Sequence, residues 1–346
     1  MKSKKVLLAN SLLLLALSLF VIIPILADQI FRLQGAISGN ASLLLSGGVS
    51  VLGLGGISLL YCKLTKGNFA LVMVLKKISM RQIILVLFVA IGTYIFAVGV
   101  NSISMKLFPV AIKDSQAISK LLSSSSIFLG FIVVILIPAF FEEIFFRGVL
   151  LDAYEGVNKK LKYLLITLIF ATFHGNVMQI VYVIFLGLIL LKVREFTGSL
   201  LGSIILHAVN NAISYTLSKV AMYYMKVQEA GIKSGAIDPK NAVTTSDAMK
   251  VTLSQTLITA LICFLIGGSI LYINLRKLKK YKEEKETLEL REEEPTAIKE
   301  KYLLKEDKLV NGENLRNDGI INIDKNQYIP LVVYFVIMTV LVVLRY

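Results

Sequence analysis

Residues 126–150 carry the sequence "SIFLGFIVVILIPAFFEEIFFRGVL", an apolar run that contains two adjacent glutamates and an arginine. About 18 or more consecutive apolar residues are typical of a transmembrane helix. Ionisable groups inside such a helix are costly, about 2.5–3.5 kcal/mol on insertion scales for Arg, Lys and Asp, and they mark a functional site by default. The stretch therefore predicts a membrane-spanning helix in which Glu142, Glu143 and Arg147 serve a function.

The rest of the chain also has the composition of a membrane protein. The chain has 346 residues, 56% of them are hydrophobic, and the mean hydropathy is +0.74. Its apolar runs do not alternate every second residue, which excludes a transmembrane β-barrel. We therefore expect an all-α fold, a polytopic transmembrane helical bundle of about eight core spans with a C-terminal ninth.

Nine spans are predicted from the apolar runs. The first is longer than the ~7–15 apolar residues of a signal peptide, so we interpret it as a retained helix. The short fifth and sixth spans are joined by only "HGN", which is typical of a tight hairpin or a partly re-entrant pair. The short ninth span resembles an appended anchor. The predicted spans cover residues 6–27, 41–62, 83–103, 126–150, 161–176, 178–192, 199–221, 252–274 and 329–344.

The distribution of basic residues predicts the orientation of the bundle. Lysine and arginine clusters precede the first span and follow the second, fourth, sixth and eighth spans, so all of them fall on one side. Because basic loops stay in the cytoplasm, the N-terminus is predicted to be cytoplasmic. The first outer loop, 28–40, has Arg32 as its only base, whereas the outer loops 104–125 and 222–251 hold scattered lysines.

The compartment and the excluded partners follow from composition. The Lys- and Ile-rich usage favours a bacterial plasma membrane as the location of this integral membrane protein. The net charge of +14 is spread over loops and does not form the basic face of a soluble domain, so no nucleic-acid partner is expected.

The spacing of the charged residues in the fourth span gives them different environments. Glu143 and Arg147 are four residues apart with the glutamate first, which is the favourable order for an ion pair on a helix. Glu142 is rotated by ~100° from Glu143 and does not share that geometry. One glutamate is therefore neutralised by the arginine, and Glu142 remains available to face a cavity.

The histidines supply the other half of a site. The chain has 2 histidines, and each shares a helix face with a second motif residue: His174 follows Phe170 by four positions, and His207 precedes Asn211 by four. Helical rise places both histidines ~15–18 Å from the cytoplasmic ends of their spans, close to the depth of Glu142. A desolvated carboxylate can act as general base, histidine can move protons, and Asn and His can stabilise an oxyanion.

These residues resemble the motifs of an intramembrane protease family, the CAAX-protease and bacteriocin-processing family (CPBP, also called Abi), which includes the type II CAAX prenyl endopeptidases. The family pattern is E-E-x-x-x-R, then F-x-x-x-H, then H-x-x-x-N or D. Here the matching stretches are "EEIFFR" at 142–147, "FATFH" at 170–174 and "HAVNN" at 207–211. The resemblance covers about residues 125–220.

The resemblance implies an eight-helix intramembrane endopeptidase core with an added C-terminal helix. It implies that Glu142 activates water with the assistance of His174, and that His207 and Asn211 form the oxyanion site. The implied partners are a peptide or protein substrate in the membrane and the lipid bilayer itself. The sequence leaves the identity of that substrate open.

The resemblance also implies supporting residues and raises the question of a metal. Glu143 and Arg147 would hold the helix and tune the site. Glu142, His174 and His207 could supply the three ligands of an open zinc site, so the cofactor is either none or one divalent metal such as zinc. The H-E-x-x-H helix of soluble metalloproteases is absent, and a glutamate–histidine pair can activate water alone, so we favour the metal-free mechanism.

Two other functions are alternatives to the protease. A non-proteolytic immunity or scaffold protein would bind a partner through its spans, although the intact motifs argue against pure scaffolding. A proton-coupled transporter with Glu142 as the proton carrier is the less favoured alternative, because inverted repeats and broken helices are not found convincingly.

Composition and motifs together divide the chain into five parts. A Glu- and Lys-rich stretch interrupts the apolar pattern near residue 275 and predicts a cytoplasmic helix or tail. The predicted parts are the N-terminal transmembrane spans (1–124), the catalytic core (125–220), an outer loop with the eighth span (221–274), the charged cytoplasmic tail (275–328) and the C-terminal span (329–346).

Overall fold

A computed structural model describes residues 2–32, 39–108, 122, 125–238, 251–292 and 325–345. Within these ranges the protein consists of helices and turns without any strand, so the predicted all-α helical bundle is confirmed. Counting adjoining α and π segments as one helix, the helices are α1 (Lys2–Arg32), α2 (Gly39–Thr65), α3 (Phe69–Met73), α4 (Met80–Leu107), α5 (Ile127–Ala153), α6 (Lys159–Phe173), α7 (Val177–Thr197), α8 (Leu200–Lys233), α9 (Leu253–Glu292) and α10 (Ile329–Arg345).

Seven helices in the described part of the chain are long and apolar enough to cross a membrane. They are α1, α2, α4, α5, α8, α9 and α10, the last together with the turn before it. These helices indicate an integral membrane protein. The predicted fifth and sixth spans correspond to α6 and α7, which are not among the seven. With 15 residues, α6 rises only about 22 Å, less than the ~30 Å of a bilayer core.

The predicted hairpin joins α6 to α7 through the residues His174, Gly175 and Asn176. Gly175 has a φ of +65°, in the left-handed region that glycine adopts without steric cost. Asn176 then caps α7, because its side chain accepts a hydrogen bond from the backbone N–H of Gln179 at 2.8 Å. Of the two expected arrangements, a tight hairpin and a re-entrant pair, these residues form the tight hairpin.

Two helices extend beyond their predicted spans. The eighth span was predicted to end at residue 274, but α9 continues to Glu292 through the first part of the predicted tail. Lysine–glutamate pairs four residues apart line this extension and stabilise a solvated helix, for example Lys279–Glu283 at 3.5 Å. Similarly, α8 runs on to Lys233 into the predicted outer loop. The remaining parts of the predicted tail and outer loops, at 33–38, 109–121, 239–250 and 293–324, lie outside the described residues.

Polar contacts join the helix ends that carry the predicted cytoplasmic charges. Lys5 near the start of α1 lies 2.9 Å from Asp152 at the end of α5. Tyr61 near the end of α2 donates to the same carboxylate at 2.5 Å. Arg81 at the start of α4 lies 4.0 Å from Glu284 on α9. These ends therefore share one face of the bundle.

Close backbone approach holds α4 against α9. A Cβ atom added to Gly267 would lie 2.6 Å from the backbone nitrogen of Phe96, and one added to Gly92 would lie 2.9 Å from a methyl group of Ile270. Small residues at such positions let two membrane helices approach closely, since packing between helices replaces the hydrophobic effect in lipid. The α4–α9 pair therefore supports one side of the bundle.

The C-terminal helix α10 lies against the first helix and against α6. In the turn before α10, the carbonyl of Gln327 accepts a hydrogen bond from the side chain of Asn10 at 2.9 Å. The side-chain oxygen Oδ1 of Asn10 accepts a hydrogen bond from the hydroxyl of Tyr154 at 2.7 Å. Asn10 is fully buried, so this contact fixes the start of α10 to α1 and α5. The helix that resembles an anchor in the sequence is thus integrated into the bundle.

Candidate active site

The two adjacent glutamates lie where α5 changes from an α-helix to a π-helix. The segment Ile137–Glu143 is α-helical, and the segment Ile144–Val149, which contains Arg147, is π-helical. A second π segment, Phe131–Leu136, precedes them on the same helix. Short π segments are rare and frequently occur at functional sites, because they rotate the side chains on either side relative to each other.

Glu143 is the centre of a buried ionic group. Its Oε1 atom lies 3.0 Å from Nη1 of Arg147 and 2.9 Å from Nδ1 of His207. Glu143 and Arg147 are both completely buried. The guanidinium group cannot lose its protons in a protein, so it donates to the carboxylate. The structure thus contains the ion pair of Glu143 with Arg147 that their spacing predicts. His207 on α8, which is distant in sequence, joins this pair through the same carboxylate oxygen.

Arg147 also connects α5 with the two short helices. Its Nη2 atom donates to the carbonyl of Gly187 on α7 at 3.3 Å. Its guanidinium carbon lies 4.0 Å above the ring centre of Phe170 on α6, a cation–π arrangement. A Cβ atom on Gly187 would lie 3.3 Å from Phe170, so glycine permits this close approach. Arg147 therefore holds α5, α6 and α7 in one arrangement.

Glu142 has a different environment, as its spacing predicts. Its side chain is 17% exposed, and its Oε2 atom lies 4.0 Å from Nε2 of His207. That oxygen is buried and has no hydrogen-bond partner in the described structure. A buried polar atom without a partner is costly, so it needs an explanation such as water or a ligand. Oε2 of Glu143 is also buried without a partner, but the other oxygen of Glu143 binds Arg147, so Glu142 is the carboxylate of the pair that is not neutralised by the arginine.

His174 stands at the C-terminal end of α6 with a defined ring orientation. Its Nδ1 atom lies 2.9 Å from the carbonyl oxygen of Phe170, which can only accept. Nδ1 therefore carries the hydrogen, and in the neutral ring Nε2 carries the lone pair. The Phe170 ring lies between the histidines, 5.1 Å from the His174 ring and 6.0 Å from the His207 ring.

Asn211 lies one helical turn beyond His207 on α8 and faces α5. Its Nδ2 atom donates to the carbonyl of Val134, in the π segment Phe131–Leu136, at 3.2 Å. An amide nitrogen has two hydrogens, so one contact leaves one hydrogen for another acceptor. The neighbouring Asn210 is buried and donates to the carbonyl of Ala90 on α4 at 3.4 Å, which fixes the rotation of α8.

Some of the predicted site residues contact one another directly, and others lie beside this group without a direct contact to it. Glu142, Glu143, Arg147 and His207 form one contiguous group. His174 joins this group through the ring of Phe170, while Asn211 contacts the same helix α5 at Val134.

Sequence reasoning missed two further contributors to this group. Gly187 lies within "FLGLILLKVREFTGSLLGSIILH", but nothing in the sequence assigned its carbonyl to Arg147. Tyr182 on α7 lies within electrostatic range of Glu142, and a lone tyrosine in an apolar run gives no signal of that proximity.

The donor atoms do not form a metal site in this conformation. Within the described ranges, no group of three or more His, Cys, Asp or Glu residues has an arrangement that could hold a metal ion. His207 uses Nδ1 for Glu143, and His174 uses Nδ1 for Phe170, which leaves only the two Nε2 atoms and Glu142. These are the donor types of a zinc site with two histidines and one glutamate, but in the described structure they are not grouped closely enough to hold a metal ion.

Comparison with known families identifies the segment that carries this site. Residues 124–213 match the Rce1-like family of type II CAAX prenyl endopeptidases. This match confirms the resemblance predicted from the motifs for this segment, and the matched residues run from just before α5 into α8. At the level of the family, the match supports a CAAX-type intramembrane endopeptidase with peptide or protein substrates in the lipid bilayer. No curated protein and no solved structure shows a significant match to the chain.

Proposed function

We propose that this protein is an intramembrane endopeptidase that cleaves a membrane-associated peptide or protein with water activated by Glu142. One observation carries the proposal: Glu142 presents a buried oxygen without a hydrogen-bond partner beside an imidazole, next to a neighbouring glutamate already neutralised by arginine. Burial keeps bulk water away and leaves that oxygen free to accept a proton.

In the proposed first step, water attacks the carbonyl carbon of the scissile peptide bond. Glu142 accepts one proton of the water, and Nε2 of His174 orients the water by accepting the other in a hydrogen bond. This role suits His174 because its Nδ1 hydrogen is directed to Phe170, so the lone pair is on Nε2. A positioned general base contributes typically 10²- to 10⁴-fold to the rate.

His207 and Asn211 are proposed to bind the oxygen of the tetrahedral intermediate. His207 can donate from Nε2 when it is protonated, and its Nδ1 then donates to Glu143. Asn211 has one amide hydrogen besides the one that it donates to Val134. The C–N bond then breaks, the oxygen returns its electrons to the carbonyl, and Glu142 passes its proton to the leaving amine.

Glu143 and Arg147 are proposed as positioning residues. With Glu142 ionised and His207 protonated, the four side chains carry two negative and two positive charges. This balance limits the cost of burying charge in a membrane protein. Because Arg147 also contacts α6 and α7, it holds the helix of His174 against that of Glu142.

The proposed orientation places the N-terminus in the cytoplasm of a bacterial cell. The basic residues at the shared helix ends support this orientation by the positive-inside rule. Glu142 would then lie in the cytoplasmic half of the membrane, where it could meet a substrate anchored in or inserted into the bilayer.

Mapping of peptide ends in membranes tests the proposal. Cells producing the wild type and cells producing Glu142→Gln at equal abundance are compared, with Glu155→Gln as the matched control, because Glu155 is exposed after α5. We expect peptide ends that disappear in Glu142→Gln and persist in Glu155→Gln. Identical maps from all three strains, with folded protein present, would contradict the protease and favour the immunity or scaffold role.

A further inference from the structure

The turn of α6 that carries His174 is contacted by the C-terminal helix. The hydroxyl group of Tyr334 on α10 donates to the carbonyl oxygen of Ile169 at 3.0 Å and lies 3.1 Å from Oγ1 of Thr172. Tyr334 is completely buried. Because Tyr334 donates its one hydroxyl hydrogen to Ile169, its oxygen can accept from the hydroxyl of Thr172, and both partners precede His174 by five residues or fewer.

A second contact continues along the same face of α10. Met338 is one helical turn after Tyr334 and is 3% exposed. Its terminal methyl lies 3.9 Å from the position that a Cβ atom would take on Gly175, the residue after His174. The helix α10 thus follows α6 from Ile169 to the turn that leads into α7.

We propose that Tyr334 is a positioning residue for His174, so that α10 forms part of the active-site scaffold. The inference rests on the proposed function for its catalytic consequence, but the positioning itself is independent of any substrate. It also concerns a helix that lies outside the matched residues 124–213.

The physical reason is the location of His174 at a helix end. The backbone N–H of His174 bonds to the carbonyl of Ala171 at 3.3 Å, and the ring bonds to the carbonyl of Phe170. Both acceptors belong to the final turn, which lacks the next turn of helix to hold it. A buried hydroxyl that binds Ile169 and Thr172 limits the movement of that turn, and so fixes where Nε2 points.

The two histidines provide a direct readout. The chain has 2 histidines, so protein labelled with ¹⁵N and ¹³C only in histidine gives two sets of imidazole signals, assigned with His174→Gln and His207→Asn. The full-length protein in lipid nanodiscs is compared with Tyr334→Phe, which removes the hydroxyl and keeps the ring. Tyr328→Phe is the matched control, because it removes a hydroxyl in the turn before α10 that takes no part in the contact with Ile169 and Thr172.

We expect Tyr334→Phe to shift or broaden the His174 imidazole signals and to leave those of His207 unchanged. Thr172→Val, which removes the other hydroxyl of the contact, should affect His174 in the same way. Tyr328→Phe should affect neither histidine. Unchanged His174 signals in both Tyr334→Phe and Thr172→Val would overturn the proposal, as would equal changes at both histidines, which would indicate general loosening of the bundle.

A cleavage measurement connects the positioning to catalysis. The rate at which Glu142-dependent peptide ends form should fall about 10-fold in Tyr334→Phe, the loss expected for a buried hydrogen bond of about 1.4 kcal/mol that acts on the transition state. Tyr328→Phe should keep the wild-type rate. If the wild type forms no Glu142-dependent peptide ends, the proposed function is wrong. The imidazole signals still test whether Tyr334 positions His174, because they do not depend on cleavage. A shifted His174 signal with an unchanged cleavage rate would overturn the catalytic part alone.

Discussion

Glu143 on α5 and His207 on α8 are 64 residues apart in sequence, and their side chains meet at 2.9 Å inside the bundle. The carboxylate oxygen in this contact is the one that also binds Arg147. One oxygen atom thus sets both the position of the buried cation and the orientation of the imidazole. Changes to this oxygen and changes to the neighbouring Glu142 should therefore have different consequences.

Glu142→Gln should abolish activity without loss of stability. Glutamine is nearly isosteric but cannot accept the proton of water, so the rate should fall about 100- to 10,000-fold. The buried oxygen of Glu142 has no hydrogen-bond partner to lose, so the melting temperature should stay close to that of the wild type. Peptide-end formation and thermal unfolding in detergent measure both quantities. A large drop in the melting temperature would assign Glu142 a structural role instead.

Glu143→Ala should destabilise the protein. The substitution leaves Arg147 completely buried without its carboxylate, a change that typically costs about 3–5 kcal/mol. Accumulation in the membrane and the melting temperature should both fall, in contrast to Glu142→Gln. The double variant Glu143→Leu with Arg147→Met removes both charges and should regain part of the stability while remaining inactive. Wild-type stability of Glu143→Ala would argue against the ionic group.

His207→Asn and His207→Leu should separate orientation from chemistry. Asparagine can place an amide N–H near the position of Nδ1 and keep the contact with Glu143, whereas leucine cannot. We therefore expect His207→Asn to be within about 1 kcal/mol of the wild type in stability, and His207→Leu to be less stable. Both lack Nε2 and should lose about 100-fold in cleavage rate. Retained cleavage in His207→Asn would remove Nε2 from the mechanism.

Gly187→Val should disturb the contact between Arg147 and α7. A Cβ atom at this position would lie 3.3 Å from both Phe170 and Thr167, and valine adds two methyl groups to it. Overpacking of this kind costs typically about 1–3 kcal/mol, so the melting temperature and the cleavage rate should both fall. Gly48→Val is the matched control, because a Cβ atom there has no neighbour within 4 Å. Equal effects of the two substitutions would contradict the packing argument.

Cleavage should persist after treatment with a divalent-metal chelator. The proposed mechanism activates water with Glu142 and His174 side chains, so chelation removes nothing that it requires. The wild type is assayed before and after chelation, and then with zinc restored. Loss of cleavage that zinc restores would show that Glu142, His174 and His207 rearrange around a metal ion.

Local contacts of the site were predictable from the sequence. Glu143 and Arg147 pair because residues four apart on a helix are neighbours, and that rule needs no knowledge of the fold. The different environment of Glu142 follows from the same helical geometry. The motifs also indicated which three helices, α5, α6 and α8, carry the site, because each motif residue lies in a strongly apolar run.

Long-range contacts and helix lengths were harder to predict. The binding of Arg147 to the carbonyl of Gly187 depends on how α5 crosses α7, and backbone acceptors have no sequence signal. The extension of α9 was missed because hydropathy detects only the apolar part of a helix, whereas Lys–Glu pairs continue it in water. The integration of α10 depends on Asn10 and Tyr334, single polar residues in apolar runs.

The contact of Asn10 with Gln327 constrains how the protein is made. These residues are 317 positions apart, so the side chain of Asn10 enters the membrane long before ribosomes have synthesised its acceptor. Tyr154 can satisfy the amide oxygen of Asn10 once α5 has been made, but the amide nitrogen has no acceptor at Gln327 until the turn before α10 exists. The contact that fixes α10 to α1 can therefore form only after the intervening helices have been made, so α1 must remain accessible to α10 throughout that time.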